Sequence, residues 1–373
     1  MATTPLKVRY VAKRNGIFAS PKFQHWAAKL PFIRRIARAR AGMMFDLVVG
    51  FSYSQILRAV IESELLDVLR DGPIDSETVA IRIGLSTEAT LTLLRAARSL
   101  MLSEEVMPGE WMLGEQGAVL QADPGTQAMI RHHRLMYQDM AEPLELLRKD
   151  RREPTELSRY WSYAGALHGA AKAGEETAEY STLMATSQQF VADQVLACFE
   201  FPRTGRLLDV GGGHGAFLTH VGRAYPDLEL GLFDLPEVAE SGEQAVAQAL
   251  DADRITGHQG SFFEDPVPSG YDIVSLVRIL HDHDDGPALQ ILENIRSSLE
   301  PGGRLLVAEP MAQVPGAEAM GEAFFGLYLW AMGSGRPRSA KEITAMLKQA
   351  GFDRTQIVAT PQPVIASVIV ATA

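Results

Sequence analysis

Apolar positions along the chain follow a helical period in its first half and alternate strand and helix in its second. From Met43 to Leu69 they recur at helical spacing on more than one face. That is too much apolar surface for a lone surface helix and predicts burial between subunits. Residues 75 to 102 read as two helices broken at Gly84-Leu85-Ser86, with Ser86 capping the second and Glu88 in its first turn. This is helix-turn-helix spacing, and Trp111 to Leu120 is the expected wing. Residues 125 to 200 read as helical, except for a charged break at Arg148 to Glu156 that predicts a domain boundary near residue 150. Beyond it the strands RLLDV, LELGLFD, ITGHQG, DIVSLVRIL and RLLVAEP alternate with helical stretches, which implies a parallel, doubly wound sheet. A last helix, Ala340 to Ala350, precedes the strand candidates TQIVAT and VIASVIVAT, a closing antiparallel pair.

Charge divides the chain. Residues 1 to 45 carry ten Lys or Arg and no acid, leaving 25 basic against 46 acidic side chains in the remainder. Such a segment, mixed with Phe18, Phe23, Trp26 and Phe32, can lie on an anionic membrane or dock on the acidic body of its own protein or of a partner subunit. No run of 18 apolar residues predicts a membrane span, and no compact apolar core with a cleavage site predicts a secretory signal. The single Cys198 excludes an intramolecular disulfide and a cysteine-built metal site. A DNA-reading helix needs Arg, Lys, Asn or Gln toward phosphate and bases. Ser86 to Glu105 offers only Arg95 and Arg98 against Glu88, Glu104 and Glu105, so nucleic acid is not an expected partner.

The chemistry concentrates where RLLDV breaks into Gly211, Gly212, Gly213 and Gly215. Without Cβ atoms, the turn lets a ligand touch backbone at the start of the next helix. Asp234, 25 positions after Asp209 and at the end of the second strand, is placed to accept hydrogen bonds from ribose hydroxyls. The spacing marks a nucleoside site and leaves the cofactor open, because Gly211, Gly213 and Ala216 also fit the dinucleotide pattern.

The ordered set DVGGGHG, FDLP, GSFFED, LHDHDD, PGGRLLVAE and a final GF resembles the S-adenosylmethionine-dependent O-methyltransferases of the plant caffeate and acetylserotonin type. RNGIFASPKFQHWAAKL, EYSTLMATSQQFVADQVL and AMGEAFFGLYLWAMGSGRPRSAKE are similar to the bacterial hydroxycarotenoid branch of that family. The resemblance implies an α/β, Rossmann-like class I methyltransferase domain over residues 151–373, preceded by a winged-helix dimerisation domain over 43–150 and a basic extension over 1–42. It implies a homodimer in the cytoplasm, peripheral at the inner or photosynthetic membrane, acting on an apolar hydroxylated molecule such as a carotenoid. Phenolic, polyketide and bacteriochlorophyll precursors are alternative acceptors, and a winged-helix regulator is an alternative of another class.

Residue roles follow from the same resemblance. Asp209, Gly211, Gly213, Asp234, Leu235, Ser261, Phe262, Phe263 and Arg278 are expected to bind the cofactor, with Met184 and Ser187 over the reaction centre. Ser261 departs from the family pattern, which has an acid there. His281 is the expected base, flanked by Glu309 and Glu342, because an imidazole with an unperturbed pKa of about 6.5 can be neutral at cytosolic pH and accept the hydroxyl proton. Phe324, Phe325, Tyr328 and Met332 share a helical face as an acceptor wall, whereas Trp330 is the residue expected to pack the core. The run Asp282, His283, Asp284 and Asp285 points its side chains in different directions, so no metal site is expected.

Overall fold

A computed structural model describes residues 5–148, 153–167, 188–363 and 365–373. The chain divides into two compact units, Met1–Ala122 and Asp123–Ala373. This division lies upstream of the expected boundary near residue 150. The helix Pro124–Asp139 belongs to the second unit: Nε2 of His132 is 2.7 Å from the Tyr328 hydroxyl, and Asp139 accepts the N–H groups of Glu156 and Leu157 at 2.7 and 3.0 Å.

In the first unit, helices Leu6–Ala19 and Pro21–Lys29 lead into Pro31–Glu62, which runs without a break through the expected boundary at residue 42. Met43, Met44, Phe45, Leu47, Val48 and Phe51 are exposed on this helix. Its stretch Ile33–Glu62 is long and apolar enough to cross a membrane by length and composition, although Arg34, Arg35, Arg38, Arg40 and Asp46 keep its apolar residues from forming an unbroken run. After β1 (Ile74–Asp75), Asp75 accepts the N–H groups of Glu77 and Thr78 and so caps the helix Ser76–Ile83. Gly84, at φ +70°, ends that helix, and Ser86 caps Thr87–Ser99 as expected. The expected wing is displaced. It is the hairpin of β2 (Ser103–Met107) and β3 (Glu110–Leu113), turned at Pro108-Gly109, and Glu115–Gln121 is a helix.

The second unit holds a seven-stranded sheet. Its strands are β4 (Gly205–Val210), β5 (Leu228–Asp234), β6 (Ile255–Gln259), β7 (Ile273–Val277), β8 (Arg304–Glu309), β9 (Arg354–Val358) and β10 (Ser367–Thr372), in the order β6-β5-β4-β7-β8-β10-β9. Strands β4 to β8 pair in parallel, and β10 runs antiparallel to both β8 and β9, as the closing pair requires. Strand alternation sends Leu207 to one face, with Val195, Phe217 and Val221, and Leu208 to the other, with Ile291, Ile295 and Leu347. Both faces are therefore buried, and all of β7 is inaccessible. Strand order reverses between β4 and β7, and a crevice at the carboxyl ends is the consequence of that reversal. Asp234 ends β5, Glu309 ends β8, and His281 follows β7 by one short turn.

Candidate active site

Sequence places glycines where β4 must turn sharply under a helix. Gly211, Gly213 and Gly215 have φ of +70°, +56° and +72°, the left-handed region that strains residues with side chains. A Cβ on Gly211 would lie 2.5 Å from Ile279 Cδ1 and 3.7 Å from the Phe262 ring, so those two side chains close over the turn. Gly213 borders open space, with nothing within 4 Å of a built Cβ. Asp234 is fixed beside it: its two oxygens accept the N–H groups of Gly213 and Leu235, each at 2.8 Å. An open backbone edge beside a strand-end carboxylate fits the ribose and methionyl ends of S-adenosylmethionine.

Other expected cofactor residues sort by position. Leu235 is half-exposed at the start of the helix Pro236–Ala249. Ser261 Oγ accepts the Phe263 N–H at 3.2 Å, while Asn294 and Gln290 donate to the carbonyls of Phe262 and Phe263, so this loop is held in a fixed shape. Arg278 has φ +57°, a conformation that costs a non-glycine residue roughly 1 kcal/mol. Its N–H donates to the Ala308 carbonyl at 2.9 Å, which ties the end of β7 to β8. Asp209 does not face the crevice. It is buried, accepts the Ser275 hydroxyl at 2.6 Å, and burial pushes its carboxyl up to about 7, so it braces the turn from beneath. Met184 and Ser187 lie outside the described residues.

His281 sits in the short turn Leu280–Asp282 and is 6% exposed. Its Nδ1 contacts Oε2 of Glu309, whose Oε1 accepts the N–H groups of Ile279 and Leu280 at 2.9 and 2.8 Å. One buried carboxylate thus orients the ring and holds the turn that carries it. Nε2 is 3.1 Å from Oδ1 of Asp282. Burial alone would lower the imidazole pKa, but the Asp282 and Glu309 carboxylates outweigh it and raise it to about 10. Two anionic neighbours therefore favour the charged form of a ring whose unperturbed form can be neutral at cytosolic pH.

Glu342 is not one of them. It closes a capping box with Ser339 at the start of Ala340–Gln349 and accepts Arg336 Nη1 at 2.8 Å. The S-x-x-E spacing of Ser339 and Glu342 is the sequence signal for that role. A strap around Gly335 instead supports the His281 turn. Arg336 N–H donates to the His281 carbonyl at 2.9 Å, and the buried Arg338 donates to the carbonyls of Leu280 and His283 at 2.6 and 2.7 Å. Asp284 accepts the Gly335 N–H, and Asp285 pairs with Arg336 and Arg338, so these acids of the LHDHDD run serve the strap.

The aromatic wall divides in two. Residues Ala319–Phe325 are π-helical before the α-helix Gly326–Met332, so the expected single face is not continuous. The Phe325 ring lies 6.2 Å from His281, and Phe324 packs edge-on at 5.0 Å from Phe325. Tyr328 turns away from a wetted wall: it is buried, with its hydroxyl held by His132 at 2.7 Å and by Trp161 at 3.1 Å. Burial holds His132 down to about 4, so a neutral imidazole shares the hydrogen bond with the Tyr328 hydroxyl. Met332 packs with this inner cluster, as does Trp330, whose Nε1 donates to the Leu146 carbonyl at 2.6 Å. His132 and Trp161 carried no motif to mark them.

The His281 shift makes stability depend on pH. A folded-state pKa raised from 6.5 to about 10 gives stabilisation that is complete below pH about 6.5 and disappears as pH rises through about 10. Urea unfolding of the protein and of His281→Asn, from pH 6.5 to 10.5, is expected to show the stability advantage of the native protein shrinking as pH rises. An advantage constant across that range would contradict the shift.

Comparison with known proteins joins the two units to one family. An O-methyltransferase domain model matches residues 140–353 and an O-methyltransferase dimerisation domain model matches 45–120. The chain is 42% identical over 352 residues to demethylspheroidene O-methyltransferase of Cereibacter sphaeroides, covering 94% of this chain and 92% of that one. It is 38% identical to the Rhodobacter capsulatus enzyme of the same name, covering 91% and 84%. Among solved structures, human N-acetylserotonin methyltransferase in complex with SAM matches with a TM-score of 0.71 and 25% identity over 89% of this chain and 97% of that one. A calicheamicin-biosynthesis methyltransferase in its SAH-bound form matches with a TM-score of 0.74 and 26% identity, over 90% and 98%. With its glycine turn, its buried His281–Glu309 pair and both domain matches, the chain belongs to the O-methyltransferase family.

Proposed function

We propose that this protein transfers the methyl group of S-adenosylmethionine to the hydroxyl of a hydroxylated carotenoid of the demethylspheroidene kind. The observation that carries the reading is 42% identity to a demethylspheroidene O-methyltransferase across 94% of the chain. When bound, S-adenosylmethionine supplies an electrophilic methyl on a sulfonium. Gly211 and Gly213 would meet its methionyl part, Asp234 and Leu235 its ribose and adenine, and Ser261, Phe262, Phe263 and Arg278 the rest of the adenine pocket.

His281 acts on the acceptor. The free alkoxide of a tertiary alcohol is too basic to form in advance, so the hydroxyl proton passes to Nε2 of His281 as the new C–O bond forms and the C–S bond breaks, a step open only to the fraction of enzyme in which that nitrogen has lost its own proton. Glu309, fixed by two backbone N–H groups, holds the resulting imidazolium from the Nδ1 side. Phe324 and Phe325 supply apolar surface next to the imidazole, which suits a polyene and keeps water from the reacting oxygen. Holding the hydroxyl at about 3 Å from the methyl can supply roughly 7–11 kcal/mol of the barrier.

The protein forms a homodimer through residues 45–120, in keeping with the match to a dimerisation domain and with the exposed apolar residues Phe45, Leu47, Val48 and Phe51. It works in the cytoplasm, at an anionic membrane surface. In the first helix, Leu6, Tyr10 and Ile17 form one exposed stripe at helical spacing, flanked by Lys7 and Arg14 on one side and Arg9 and Lys13 on the other. Apolar side chains at headgroup depth with cations beside them are the chemistry of a lipid-surface helix.

Incubation with labelled S-adenosylmethionine and a panel of 1-hydroxy polyenes, phenols and tetrapyrrole precursors is expected to give a methyl ether of the polyene, identified by mass. Methylation of phenols or tetrapyrroles alone would replace the carotenoid acceptor. Removing residues 1–40 is expected to abolish sedimentation with anionic liposomes and to leave methylation of a detergent-dispersed acceptor intact. Unchanged liposome binding would refute the membrane role.

A further inference from the structure

Both ring nitrogens of His281 are held by carboxylates, and the two carboxylates are not equivalent. Glu309 is 2% exposed and anchored by the N–H groups of Ile279 and Leu280. The Asp282 side chain is 39% exposed. Its backbone, by contrast, is fixed. Ser334 Oγ donates to the Asp282 carbonyl at 2.9 Å, and Gly335 packs so closely that a Cβ there would lie 2.0 Å from the His281 carbonyl oxygen and 2.6 Å from the Asp282 carbonyl carbon. Movement of the Asp282 carboxylate is thus left to rotation of its own side chain, which is partly open to solvent. Nδ1 of His281 is committed to Glu309, so Nε2 is the nitrogen left to meet an acceptor hydroxyl. A protonated Nε2, ion-paired with Asp282 at 3.1 Å, cannot accept another proton.

We propose that Asp282 gates the catalytic base: its carboxylate, ion-paired with Nε2, keeps His281 protonated in the resting enzyme, and methyl transfer requires that contact to open. The inference rests on the methyl-transfer reading above. Opening removes one of the two negative charges beside the ring, so the Nε2 proton leaves to solvent and a neutral nitrogen faces the acceptor. After the C–O bond has formed, the acceptor's proton is on Nε2 and Asp282 can pair with it again. The groups that set the balance are Asp282 and His283 on the turn, Arg278 at the end of β7, Glu309 on β8 and Arg338 from the strap. Because Glu309 remains in place when Asp282 swings away, ring orientation survives the opening. Asp282 thus supplies what Glu342 was expected to supply, a second acid on the histidine, at the nitrogen that does the chemistry.

The test combines ¹⁵N spectra of His281 in the free enzyme, titrated from pH 6 to 11, with the pH dependence of kcat/KM. At pH 8 the native ring is expected to be imidazolium, protonated on both nitrogens. In Asp282→Asn the titration midpoint should fall by about one pH unit or more, a tenfold rise in the neutral fraction at a given pH below the midpoint. The acidic limb of kcat/KM should move with it, and Asp282→Ala should shift both in the same direction. A purely structural Asp282 would lower kcat at every pH and move neither midpoint. A neutral His281 at pH 8 in the native enzyme, or unchanged midpoints in the variants, would overturn the gate. The spectra need no turnover, so a wrong acceptor would be seen as absent product and would leave the titration result standing.

Discussion

The site depends on the buried contact between Glu309 and His281. A carboxylate with 2% exposure is tolerable only when its charge is paired and its lone pairs are satisfied. Glu309 meets both conditions: one oxygen takes the N–H groups of Ile279 and Leu280, and the other takes His281. The parallel register of β7 and β8, with Val277 opposite Ala308, brings Glu309 to the beginning of the turn that carries the histidine. Sheet pairing therefore does for His281 what a dedicated binding loop does elsewhere. It sets orientation before any ligand arrives.

The cofactor side follows the same economy. A strand with both faces buried ends in glycines, and the backbone it exposes is pinned by Asp234 from the neighbouring strand. Asp209 braces this turn from below through Ser275 on β7. Thus β4, β5 and β7 shape the glycine turn, while β7 and β8 position His281. The common member is β7, whose five residues are all buried and whose continuation through Arg278 adopts a left-handed φ at the point where the two halves meet.

Much of this was legible in the chain. Strand and helix periods gave the sheet, the glycine spacing gave the sharp turn after β4, and Asp234 and Glu309 fell at strand ends as the pattern placed them. Legibility failed where a partner lies far along the sequence or where local spacing has two meanings. Glu342 sits near the site in sequence terms, yet its carboxylate is spent on Ser339 and Arg336. Tyr328 falls on an aromatic stripe, yet its hydroxyl finds His132, 196 residues away, and becomes core. A π-helical turn breaks the 3.6-residue period on which the acceptor wall was drawn. The pKa of His281 was unreadable because it follows from two carboxylates meeting one ring in three dimensions.

The central claim is that this one histidine, oriented by Glu309, accepts the hydroxyl proton during methyl transfer. Single-turnover methylation by His281→Ala, with S-adenosylhomocysteine affinity measured alongside, tests it most directly. The account predicts a loss of about 10²- to 10⁴-fold in rate with cofactor affinity unchanged. A variant that methylates the acceptor at the native rate would contradict it.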